Sequence, residues 1–122
     1  GKYILEFGSR GTGPGQFELP HNVVVDPQGK VYVTDRENRR IEVFDANGKF
    51  LTQWPTVEGV SGLFLTKDQH IWAGGVLLDM QGKVVGRLPG ANASGGHGVA
   101  VSDSGDVYLA QLNGTVQKFV KQ

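Results

Sequence analysis

Cysteine is absent from the 122 residues. That excludes a disulfide framework, a thiolate nucleophile and a Cys-bound metal, and it leaves the compartment open. Neither charge sign prevails, since twelve Lys and Arg cancel twelve Asp and Glu. A neutral chain has no overall field to gather nucleic acid or an anionic membrane. No apolar run approaches the roughly 20 residues that span a bilayer as a helix. No signal-peptide pattern is visible, so the localisation is unknown. The chain opens on Gly1 rather than Met, which reads as a processed or excised piece. What the sequence does have is glycine, 19 residues of it with 5 Pro, many in turn-type clusters between segments of Val, Phe, Tyr and Trp. That balance predicts short strands joined by tight turns in one domain.

The strands come in repeats. Val23 to Val33 reads strand, turn, strand around Asp26-Pro27-Gln28-Gly29-Lys30. The pattern recurs at Leu63 to Ala73 and again at Val99 to Leu109. Each hairpin leads to a third strand, at Ile41–Phe44, Val76–Asp79 and Val116–Phe119. A fourth strand follows a Gly turn in the first two units, at Lys49–Trp54 and Lys83–Leu88. The third unit stops short of its fourth strand, and Lys2–Phe7 reads as that strand. The alternation in Ile41-Glu42-Val43-Phe44 suits a strand nearer the outside.

Four antiparallel strands in each unit of 35–45 residues is the pattern of a β-propeller blade. The expected fold is all-β, with three four-stranded blades per chain. Propellers carry about 4–8 blades, so two chains are expected to close a six-bladed ring. In that homodimer the N-terminal strand is exchanged and completes the last blade of the partner. The expected boundaries are 1–7 for the exchanged outer strand, 17–54 for blade 1, 57–88 for blade 2, and 95–122 for blade 3.

The stretch Gly11 to His21, then Val31-Tyr32-Val33-Thr34-Asp35-Arg36-Glu37-Asn38-Arg39-Arg40-Ile41, then Phe44, Gly48 and Trp54, resembles an NHL repeat. The resemblance runs over essentially the whole chain. Within NHL propellers, Leu19-Pro20-His21, Asp35-Arg36-Glu37-Asn38 and the closing Gly96-His97-Gly98-Val99-Ala100-Val101 are similar to peptidyl-α-hydroxyglycine α-amidating lyases, in particular to their C-terminal half. The resemblance implies a zinc site on three histidines at the channel mouth. His21 and His97 match two of them, and Ser61 holds the equivalent place in the second repeat. In a two-chain ring, His97 of one copy is expected beside His21 of the other. The resemblance also implies a structural calcium held by backbone carbonyls, with Val23 at a matching position. Gly98 stands where an acidic ligand can follow the last histidine.

An arginine on the loop after the second strand faces substrate in such lyases. Arg40 matches that position, and Arg36 is a second candidate, so these two are the catalytic candidates. The competing reading makes Asp35, Asn38 and Arg40 organisers of the turn. The family's catalytic tyrosine has no match, because Tyr32 and Tyr108 share a repeat position with Trp72 and read as packing. His70 replaces Lys30 and Asp106 in a hairpin turn and reads as solvated. Gly11-Thr12-Gly13-Pro14-Gly15 leads into a strand rather than a helix, so it is a connecting loop and not a phosphate cradle.

The functional expectation is a binding or scaffold module that takes a small molecule or peptide at the channel mouth. The alternative is a zinc-dependent amidating lyase. RNA binding ranks below both, because Asp35 and Glu37 dilute Arg36, Arg39 and Arg40 and no aromatic interleaves them.

Overall fold

The computed structural model describes residues 1–56, 58–90 and 96–122. The expected starts of the second and third blades, at 57 and 95, therefore lie outside the described residues. A short parallel pair comes first, β1 (Ser9–Arg10) with β2 (Gln16–Phe17). Then β3 (Pro20–Val25), β4 (Val31–Asp35), β5 (Arg40–Phe44) and β6 (Phe50–Pro55) form an antiparallel sheet in sequence order. The second sheet is β7 (Leu63–Leu65), β8 (Ile71–Ala73), β9 (Val76–Leu78) and β10 (Val84–Arg87). The third has three strands, β11 (Gly98–Val101), β12 (Val107–Ala110) and β13 (Val116–Phe119). These are three consecutive blades of the expected kind. Among the described residues no helix is long and apolar enough to cross a membrane.

One turn design recurs in the first two blades. In Asp45–Lys49 the Asp45 carboxylate accepts the N–H groups of Asn47 and Lys49, and Gly48 takes φ 83°. Asp79–Lys83 repeats this with Gln81, Lys83 and Gly82, again at φ 83°. Asp26 does the same for Gln28 and Lys30. A side-chain acceptor replaces the backbone's lost partners, and glycine supplies the left-handed conformation without strain. The bonds hold the Asp79 carboxyl below its ordinary value, chiefly through the Lys83 N–H.

The main core lies between the first two blades. Tyr32, Ile41, Val43 and Trp54 of the first pack on Val60, Leu63, Ile71, Val76 and Leu78 of the second. Trp54 stacks at a tilt on Tyr32, 5.4 Å between ring centroids. Tyr32 also donates its hydroxyl to Asp26 Oδ2 at 2.9 Å, and burial raises its pKa. In the third blade the apolar burial comes from Val107 and Leu109.

β5 is the third strand of its blade, and despite its apolar-polar alternation all five of its residues are buried, with Glu42 0% exposed. The reason is the segment before the blade. Residues 8–17 fold back over that face, and the Gly15 N–H donates to Glu42 Oε1 at 2.9 Å. Phe17 covers Phe44 at 5.6 Å beside it.

Candidate functional site

Three loops meet in front of the inner strands. Thr34, fully buried on β4, stitches the first to the second: its hydroxyl accepts the Asn22 N–H at 2.8 Å and donates to the Ser61 carbonyl at 3.1 Å. The second is pressed on the third at Gly62. A Cβ there would meet Val99 N at 3.1 Å and the Gly96 carbonyl oxygen at 3.2 Å, so only glycine allows the approach without a shift. These contacts carry His21 and His97 to each other. Their rings stand edge to face, 4.4 Å between centroids. His21 is placed by the irregularity in the β3 ladder between Pro20 and Val23, and His97 by its N–H bond to the Ala110 carbonyl.

The histidines thus meet within one chain, whereas the sequence reading set His97 beside His21 of another copy. The blades fan around a common point, so equivalent positions on the first and third converge there. His21 Nδ1 is buried with no hydrogen-bond partner among the described residues. Such an atom costs stability unless something bonds it, so the donor set fits an added ligand or a metal. Among the described residues no group of three or more His, Cys, Asp or Glu forms around a common point. Val23, the calcium candidate, lies in the ladder opposite Val33 with its side chain exposed.

The two arginine candidates separate. Arg36 borders the convergence point, donating Nε to Ser61 Oγ at 2.9 Å and pairing with Glu37, while about a third of its side chain stays exposed (32%). Arg40 is buried, and its donors are all used. Nε bonds Asp35 Oδ2 at 2.9 Å, Nη1 bonds Thr12 O and Gln53 Oε1, and Nη2 bonds Gly13 O and Gln16 O. No N–H is left for a substrate, so Arg40 holds the glycine-rich segment against the blade. Asp35 completes the hub by accepting the Glu18 and Leu19 N–H groups and the Asn38 amide. His70 sits in its turn with Nδ1 3.2 Å from the Asp68 carbonyl oxygen.

Glu42 belongs to the same hub, and sequence reasoning missed it. It lies 3.6 Å from Arg40 Nη2, whose N–H groups already bond the Gly13 and Gln16 carbonyls, and among the described residues its buried Oε2 has no partner. Burial raises its pKa above the ordinary 4.5, against the Gly15 N–H and Arg40, which lower it. A carboxyl that holds its proton more tightly when folded stabilises most below 4.5, and loses that contribution as pH rises through the folded value. Glu42→Gln keeps an acceptor for Gly15 and removes the buried charge. It is expected to melt higher than the parent at pH 7, with the gap closing by pH 4. A lower melting temperature at pH 7 would show that the charge is needed.

Residues 17–44 match the NHL repeat family model. The human NHL repeat-containing protein 3 is 46% identical over 65 residues, which is 50% of this chain and 19% of that protein. Peptidyl-glycine alpha-amidating monooxygenase A of Xenopus laevis is 36% identical over 89 residues, 68% of this chain and 9% of that protein. The chain therefore spans a small part of these relatives. Among solved structures, the WD40 β-propeller domain of Doa1 superimposes with a TM-score of 0.67 at 15% identity, covering 85% of this chain and 37% of that one. Residues 17–44 therefore carry an NHL repeat, within a chain whose three blades have the β-propeller fold.

Proposed function

We propose that the chain is a binding module of the NHL-propeller type, two copies of which close a six-bladed ring, with its ligand site where His21, His97, Ser61 and Arg36 meet. The observation that carries this is the pair of imidazoles 4.4 Å apart with one buried ring nitrogen unbonded. Two imidazoles suit a divalent cation, and the guanidinium beside them suits the anionic end of a small molecule or peptide. His21 and His97 would hold zinc, and a two-chain ring doubles their number. Bound there, zinc would polarise a substrate oxygen or activate water. Val23 remains the proposed carbonyl source for calcium.

Titration calorimetry of metal-stripped protein with zinc tests the site. Binding is expected in the parent chain and at least ~10-fold weaker binding in His21→Ala. No binding by the parent would overturn the metal reading.

The second reading is a metal-dependent amidating lyase. The likeness to the Xenopus protein and the paired histidines favour it. Arg36 rather than Arg40 would then face the substrate, because only Arg36 is partly exposed at the site. Mass spectrometry of a peptidyl-α-hydroxyglycine incubated with zinc-loaded protein separates the two. Release of the peptide amide above the uncatalysed rate supports the lyase, and none leaves the binding module.

A further inference from the structure

Trp54 lies next to the end of β6, the outer strand of the first blade, and rests on the turn glycine of the second. A Cβ at Gly82 would meet Trp54 Cγ at 2.3 Å. Phe7 does the same one blade earlier. A Cβ at Gly48 would meet Phe7 Cγ at 2.6 Å, and the Phe7 ring stands 4.9 Å from Phe44. Gly48 and Gly82 hold equivalent places in the two Asp-to-Lys turns, both at φ 83°. Phe7 therefore stands as Trp54 does, next to the end of an outer strand, on a blade preceding the first. In sequence Lys2-Tyr3-Ile4-Leu5-Glu6-Phe7 lies on Lys49-Phe50-Leu51-Thr52-Gln53-Trp54, alike in character except at Leu5 on Thr52.

Residues 2–7 pair with no strand among the described residues, and Tyr3 and Ile4 are 73% and 74% exposed. At the far end, among the described residues, β13 pairs with β12 alone, and Val116 is 70% exposed. An unpaired strand and an unpaired edge are complementary surfaces.

Resting on the ring reading above, we propose that residues 2–7 of a second copy add to β13 as the outer strand of the third blade, in one register. Phe44↔Phe50, Val43↔Thr52, Glu42↔Gln53 and Ile41↔Trp54 set the rule in the first blade. The third blade aligns on the first because Val107 pairs with Phe119 as Val31 pairs with Phe44. Phe119, Lys118, Gln117 and Val116 then face Tyr3, Leu5, Glu6 and Phe7 of the second copy. The occupant is a second copy because the joint continues the blade-to-blade contact already built at Trp54 and Gly82.

The chain has no cysteine, so an introduced pair supplies the only thiols. Strand neighbours lie within disulfide reach, whereas a shift of one residue puts the side chains on opposite faces. Under oxidation, Glu6→Cys with Gln117→Cys is expected to give a covalent dimer of twice the 13.1 kDa chain. Glu6→Cys with Lys118→Cys is expected to give at most a tenth as much. Light scattering on the reduced proteins runs alongside. A twofold mass with no register-selective link would overturn the exchange and leave the ring. A monomeric mass would overturn both.

Discussion

Arg40→Ala is expected to cost the fold ~3–5 kcal/mol, the range for removing one partner of a buried ion pair. Asp35 and Glu42, both 0% exposed, would be left without a cation. The carbonyls of Thr12, Gly13 and Gln16 would lose their donors as well. The loss is a large part of the roughly 5–15 kcal/mol that holds a domain together. Urea unfolding of parent and variant measures it. A loss under ~1 kcal/mol would mean that water replaces the guanidinium at little cost, as for exposed pairs. The neighbouring Arg10–Glu18 pair at 2.8 Å is the internal control. Arg10 is 86% exposed there, so Arg10→Ala should leave the midpoint nearly unchanged.

The contrast shows how far the residues could be read in order. The blade strands were legible because their turns repeat a short local signal, an apolar run, an Asp or Ser and a glycine three residues on, with Thr66 and Gln69 in those places between β7 and β8. The pattern Asp35…Asn38…Arg40 was legible as turn chemistry for the same reason. What Arg40 holds was not, because Thr12, Gly13 and Gln16 lie 24 to 28 residues upstream with no periodicity linking them. The burial of Glu42 was not legible on the same account. A strand's alternation says which face a residue takes, and only the folded-back segment says whether that face is covered. The meeting of His21 and His97 followed from their equivalent repeat positions, but their meeting within one chain depended on Thr34 and Gly62 drawing the loops together.

Removing residues 1–7 is expected to abolish the paired assembly. The truncation takes Phe7 off Gly48 and Phe44 and takes Tyr3 and Leu5 out of the proposed joint. Fully burying a Leu or Phe side chain contributes roughly 1.5–3 kcal/mol each, and a ring of two chains has two joints. That is of the same order as the ~4–15 kcal/mol cost of association, so the remaining contacts would not hold the pair. The milder Phe7→Ala should weaken association while leaving the first two blades intact, since their core lies on the other face of the sheet.

Light scattering on the intact chain across a dilution series is the most direct measurement. Closure by two copies predicts one species at twice 13.1 kDa, falling to a monomer or precipitating when residues 1–7 are removed. A stable, soluble monomer of 13.1 kDa for the intact chain would contradict it.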